Sequence, residues 1–262
     1  MGRYLSLYRL FVIQRFKILM EYRLNFFIGS TSTIILQAAS LAALWVVMSQ
    51  IPSLNGWTFP EVLLIYGLLT LGESITHMFA DNLWTIGWGY VRSGDFDRFL
   101  VRPIDPLFHL LADRFCHDGI GNFLTGSILV WYAMRSLQIP LTLETGLYLA
   151  ITVISGGLIF IALNLITATS AFWLMESIPV TQMVFGMNEF AKFPLTIYGR
   201  GITLLLTWII PYGFVSFYPA THLLGKDVST LVWMAPVVAI VFLTIAYRVW
   251  RIGLRHYGST GS

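Results

Sequence analysis

Uncharged apolar runs alternate with short polar segments along this chain. The first run, residues 26–48, reads FFIGSTSTIILQAASLAALWVVM and holds no Asp, Glu, Lys or Arg. A helix of about 20 apolar residues crosses the roughly 30 Å hydrocarbon core of a bilayer. The same pattern predicts six helical spans, at residues 26–48, 59–79, 120–137, 146–175, 202–217 and 231–250. In lipid only helices and closed barrels satisfy their own backbone, and the alternating strands of a barrel are missing. The fourth run is too long for one perpendicular helix and predicts tilt or extension past the core. The fifth is short and leads into IIPYGFVSFYPATHLLG, where Pro211 and Pro219 interrupt helical hydrogen bonding. A short span, a bent or re-entrant excursion near one surface (Pro211, Phe217, Pro219, Gly225) and a last span are expected. The predicted fold is an all-α polytopic membrane protein, one transmembrane domain over residues 1–262.

Basic residues orient the spans. Arg3, Arg9, Arg15, Lys17 and Arg23 precede the first span, and Arg92, Arg98, Arg102 and Arg114 follow the second. Lys192 and Arg200 fall between the fourth and fifth, and Arg248, Arg251 and Arg255 close the chain. Only Arg135 and Lys226 face the other way, so fourteen of the 16 basic residues share one side. Both termini are expected in the cytoplasm, as an even number of spans requires. Before the first span, Arg3, Ser6, Arg9, Gln14, Lys17 and Glu21 gather on one arc of a helix. This predicts an N-terminal interfacial helix on the cytoplasmic leaflet; a mere extension of the first span is the plainer alternative. The same charges break any signal-peptide core.

Composition agrees. Of 262 residues, 56% are hydrophobic and 11% charged, against about 25% charged in soluble domains. Mean hydropathy is +0.73. A net charge of +3 without a concentrated basic face does not suggest nucleic acid. The single cysteine, Cys116, excludes an internal disulfide and a cysteine metal site. Tryptophans near span ends (Trp45, Trp57, Trp84, Trp88, Trp131, Trp208, Trp250) suggest an interfacial belt, and a subset suits a cavity for a cationic molecule.

Three constellations bear on function. The polar stretch at residues 87–106 places Asp95, Asp97, Arg98 and Arg102 between Gly94 and Pro103. It predicts a short helix capped by Asp95. Phe96, Phe99 and Leu100 are apolar anchors, so the segment is either a docking surface or a solvated, topology-setting loop. In the second span, Glu73, His77 and Asp81 recur every four residues on one face. Intramembrane charge marks a pathway, a cationic contact or a proton-linked group; alternatively His77 and Asp81 reach the interface and Glu73 pairs with a neighbouring helix. Cys116, His117 and Asp118 do not form a nucleophilic triad, because adjacent helical residues diverge by about 100°. Neither a phosphate-binding G-x-x-x-x-G-K-[ST] loop nor an H-E-x-x-H motif occurs, and Gly119, Gly121 and Gly126 suit close helix packing.

SGDFDRFLVRPIDPLF resembles the glycine–aspartate–arginine–leucine–arginine–proline segment of a branch of type-2 ABC exporter permeases. FPLTIYGRGITLLLTWIIPYGFVSFYPATHLLG and the tail WRIGLRHYGSTGS are similar to the same branch, in the expected order. The resemblance implies a non-enzymatic permease half that moves a hydrophobic or amphiphilic compound out across a bacterial-type plasma membrane. It implies a second permease subunit, related or identical, and a cytosolic ABC ATPase dimer that carries the ATP and magnesium. It places a coupling helix at Gly94, Asp95, Asp97, Arg98, Leu100, Arg102 and Pro103, and external re-entrant helices around residues 211–225. An ATP-independent secondary transporter or channel is the alternative. It calls for ion-coupling charges and inverted repeats, neither of which is clear.

Overall fold

Thr58, Pro60 and Glu61 start the helix around which the others assemble. The Glu61 carboxylate accepts the Thr58 N–H at 2.9 Å, and proline in the first turn sacrifices no hydrogen bond. The computed structural model describes residues 23–113, 118–226 and 229–258, with single residues 7, 13 and 17. The expected N-terminal interfacial helix and residues Cys116 and His117 lie outside this description, apart from those three single positions.

Helix α1 is Arg23–Gln50 and α2 is Phe59–Phe79. After α2 a tight turn over Asp81–Thr85 and a wide turn over Ile86–Val91 lead to the single-turn α3, Asp97–Leu100, and to α4, Pro106–Asp113. Helix α5 is Asp118–Ser136. Helix α6, Leu143–Thr169, starts where the Thr142 side chain accepts the Thr145 N–H, and it continues past Ser170 as α7, Ala171–Leu174. Met175 ends it at φ +58°, a left-handed stop. Then come α8, Ile178–Gly186, α9, Asn188–Ala191, α10, Arg200–Leu204, α11, Phe217–Leu223, and α12, Ala235–His256. Among the described residues no strand forms; one isolated bridge joins Leu54 and Trp57.

Helix α2 is uncharged and buried on every face from Val62 to Gly72, as a central helix must be. Glycines let its neighbours approach. Cβ atoms at Gly67 and Gly126 would each come within 2.9 Å of the facing helix, and one at Gly119 within 2.7 Å of Met78, so α2 and α5 touch backbone to side chain. The packing role expected of Gly119 and Gly126 is thus seen. Helix α6 covers another side of α2, and α12 packs on α6.

Among the described residues, three helices are long and apolar enough to cross a membrane: Phe59–Phe79, Leu143–Leu174 and Ala235–His256. The bent pair Arg200–Ile209 and Tyr212–Leu223 would make a fourth, and α1 contributes the shorter apolar stretch Ile34–Gln50. The second predicted span coincides with α2, and the fourth overlaps α6 and α7.

The predicted fifth span, 202–217, is not one helix. It breaks at Ile210 and Pro211, and its halves bend by 77°. Both ends of the pair lie where α2 begins. Asn55 and Trp57 donate to Thr196 at 3.2 and 2.9 Å, just before α10. Beyond α11, Lys226 pairs with Glu61 at 2.9 Å and lies 4.0 Å over the Trp57 ring. The elbow between them reaches deep into the bundle, where Tyr212 donates to the Val184 carbonyl and Ser216 to that of Ala191. Val215 lies against Gly72 of α2 and Gly156 of α6; a Cβ on either glycine would meet it at 2.6 or 2.8 Å. Residues 200–223 therefore enter and leave the bundle at the same end.

The chain makes its way to that end through α8 and α9 instead. Glu176 and Ser177 pack on Gly87 at the opposite end, which also holds the 92–113 loop. Lys192 and Arg200 accordingly move away from the loop side assigned to them above. The reason is local: Pro179, Asn188, Glu189 and Lys192 dilute the hydropathy of the 178–192 segment, while 202–217 is uncharged and mostly apolar but broken by Pro211.

Candidate functional site

The 92–113 loop is built by a reversal at Gly94, whose φ of +79° suits glycine alone among common residues. The Phe96 N–H returns to the Tyr90 carbonyl at 3.0 Å and closes the turn. Asp95 does not cap α3 as expected. Its carboxylate accepts the Ser93 hydroxyl at 2.9 Å, and Phe96 occupies the cap position. Asp105 caps α4 by accepting the Phe108 N–H at 2.9 Å.

Phe96 and Phe99 are three residues apart and share a face of α3. Both are fully buried. Phe96 meets Phe172 and Tyr257 at 5.0 Å between ring centroids, and Phe99 meets Tyr90 at 5.1 Å and His109 at 4.8 Å. Trp250 of α12 completes the cluster. Phe96 holds the loop to α7 and α12, Phe99 packs within the loop region, and with both rings fully buried neither is exposed as an anchor for another protein. The edge left outside is Leu100, 43% exposed, and Val101, 80% exposed, followed by exposed Arg102 and Pro103.

The three loop charges expected to dock have partners within the chain. Asp97 accepts the Tyr257 hydroxyl at 2.9 Å. Arg98 lies 3.3 Å from Asp113 and 4.8 Å over the Phe99 ring. Arg102 points at His109 Nε2, 3.0 Å away. Burial, and then the guanidinium of Arg102, push the His109 imidazole below its ordinary value. A neutral ring with a free Nε2 lone pair suits the contact with Arg102.

The polar row on α2 keeps the predicted face. His77 lies 3.8 Å from Glu73 and 3.3 Å from Asp81. Its side chain and that of Glu73 are about one-quarter and one-fifth exposed, at 24% and 20%. Asn188 and Lys192 of the α9 region face Glu73 from across the bundle. Lys192 also pairs with Glu189 at 2.6 Å and sits 5.2 Å from the Tyr66 ring. Tyr66 in turn donates to Gln37 of α1, which reaches Asn122 of α5 at 3.3 Å. This arrangement offers charge and hydrogen bonding but no nucleophile held by a base.

The elbow residues sit as follows. Pro211 marks the break and Pro219 lies in the first turn of α11, where its missing N–H costs nothing. Phe217 is buried against Trp57, 5.7 Å between rings. Gly225 turns the chain at φ +63° after α11. His222 packs against Tyr148 and Trp233, with ring centroids 4.4 and 4.6 Å away and the rings inclined to each other. Of the tryptophans assigned to a belt, Trp57 and Trp250 are core residues, whereas Trp45, Trp88, Trp131 and Trp208 are exposed.

Sequence reasoning passed over Tyr257, His109 and the Gly72–Val215–Gly156 contact. The only signal for the last was glycine at mid-span on two apolar helices.

A family model described as ABC-2 family transporter protein matches residues 34–261. No curated protein and no solved structure matched the chain.

Proposed function

We propose that this chain, which belongs to the ABC-2 family of transporter proteins, forms one membrane half of an ATP-driven exporter. The family is a membrane component of ABC transport, so catalysis falls to a partner ATPase. A second permease subunit, of the same or a related chain, completes the pathway, and the cargo is a hydrophobic or amphiphilic compound.

The observation that carries this reading is the 92–113 loop. Phe96 fixes it to α7 and α12, Phe99 packs within it on Tyr90 and His109, and Leu100 and Val101 turn outward. A push on that edge moves spans, which is what coupling to an ATPase requires. Six crossings follow if α1, α2, α5, α6 with α7, α8 with α9, and α12 each span the bilayer. Residues 200–223 are then a re-entrant hairpin at the external face. Moving Lys192 and Arg200 off the loop side still leaves twelve of the 16 basic residues there, which supports cytoplasmic termini in a plasma membrane of bacterial type. Glu73 and His77 line the pathway wall.

The test is copurification and transport. Coexpressed with its ATPase, the protein is expected to retain it and to extrude an amphiphilic dye only when ATP is hydrolysed. Dye movement that follows an ion gradient in the absence of ATP would sink the proposal in favour of a secondary transporter.

A further inference from the structure

Helix α12 changes character along its outward face. Val237, Ile240, Val241 and Ile245 are exposed and apolar, while Arg248, Arg251 and Arg255 follow on the same side toward the loop end. Spacings of three and four residues put Ile240, Thr244, Arg248, Arg251 and Arg255 in one row. Ile240, Leu243, Thr244, Tyr247, Arg248 and Arg251 line an open groove of about 480 Å³. The opposite face is committed to the bundle: Ala246, Trp250 and Gly253 are buried, and a Cβ on Gly253 would meet Thr169 at 2.5 Å. Among the described residues no carboxylate forms an ion pair with the three arginines.

We propose that this groove binds one anionic phospholipid of the leaflet at the loop end, with the phosphate between Arg248 and Arg251 and an acyl chain along Ile240 and Leu243. Charge complementarity selects the occupant. Guanidinium forks match phosphate oxygens in a planar, two-point geometry. Tyrosine and arginine in the last turns of a span lie at headgroup depth, and the aliphatic residues before them lie at acyl-chain depth. A second copy of this chain related by a two-fold axis along the helix is disfavoured, because it would set Arg248 and Arg251 against themselves. A zwitterionic lipid brings no net charge to repay the desolvation of two guanidinium groups.

The experiment uses the full chain, reconstituted in equal parts phosphatidylglycerol and phosphatidylcholine and released for native mass spectrometry. Retention of phosphatidylglycerol over phosphatidylcholine is expected. A basic residue near an anionic surface strengthens attachment about fivefold, so Arg248→Gln with Arg251→Gln is expected to weaken retention about 25-fold. Arg248→Lys with Arg251→Lys keeps the charge and should keep most of the preference, which separates lost binding from lost folding. Equal retention of the two lipids by the wild type, or unchanged phosphatidylglycerol in the Gln variant, would overturn the proposal. So would rapid disulfide formation between copies carrying Ile240→Cys in a Cys116→Ser background, which would mean that protein covers the face. Neither ATPase nor cargo enters the assay, so its failure leaves the transport reading standing.

Discussion

The Tyr257 hydroxyl donates to the Asp97 carboxylate at 2.9 Å, joining two residues 160 positions apart in the chain. It ties the end of α12 to the one-turn helix of the loop, beside the ring contact of Tyr257 with Phe96. A hydrogen bond to a charged group contributes about 1.5–3 kcal/mol, and partial exposure lowers that here. We predict that Tyr257→Phe costs about 1 kcal/mol in stability and speeds amide exchange at residues 96–100, leaving membrane insertion intact. Tyr257→Ala, which also removes the ring, should do more. Equal exchange in Tyr257→Phe and wild type would show that the bond does not hold the loop.

The exposed edge of the loop should behave differently from its buried side. We predict that Leu100→Asp with Val101→Asp abolishes ATPase copurification while leaving thermal stability within about 0.5 kcal/mol, the range of ordinary surface changes. Phe96→Ala should lower stability by about 3–5 kcal/mol, as for other buried aromatics. If the Asp pair still copurifies with the ATPase, the partner binds elsewhere.

The elbow rests on a glycine notch. A methyl group at Gly72 would lie 2.6 Å from Val215. We predict that Gly72→Ala destabilises by about 1–3 kcal/mol through overpacking, and that Val215→Ala on that background restores part of the loss. A double variant no more stable than Gly72→Ala alone would mean that the strain lies elsewhere.

Residues 196–200 test the hairpin. In a Cys116→Ser background, Thr196→Cys should react with a membrane-impermeant thiol reagent added outside, and Arg92→Cys should react only after permeabilisation. The reverse pattern would return residues 196–200 to the cytoplasm and make 202–217 a through-going segment.

His109 should give the loop a pH dependence. Its proton affinity is lowered in the fold by burial and by Arg102. The unfolded chain therefore takes up a proton near pH 6.5 that folded His109 resists. Its share of stability is full above about pH 6.5 and is lost as pH falls below it. Protection of the amides at 97–109, taken relative to their intrinsic exchange rate at each pH, should fall between pH 7 and pH 5.5, and His109→Gln should flatten that slope. A slope unchanged in the variant would assign it to another group.

Local signals were the legible ones. Helix α2 matches its predicted limits because Thr58, Pro60 and Glu61 sit beside an apolar run that is buried on every face. The Glu73–His77–Asp81 row followed from helical spacing alone. What escaped depends on partners distant in sequence. The i, i+3 pair Phe96 and Phe99 marks an apolar edge, but nothing near it says that Phe172, Trp250 and Tyr257 fill that edge. The 178–192 segment carries Asn188, Glu189 and Lys192, whose polar and charged groups find company beside Glu73 and Tyr66 only in three dimensions. Hydropathy preferred 202–217 instead, since it counts apolar residues and is blind to the missing N–H of Pro211.

Helix α2 is keyed on three sides: by α5 at Gly67 and Gly126, by α6 through Ile75 seated on Gly157, and by the elbow at Gly72. A keyed shaft cannot turn about its own axis. With side chains meshed against backbone at less than a methyl group's clearance, any rotation of α2 would have to unseat all three contacts together. Helices α2, α5 and α6 are thus keyed together as one block. A push on the 92–113 loop, fixed to α7 at the end of α6, would be passed to that block as a unit, relative to α1 and the short, interrupted α8 and α9.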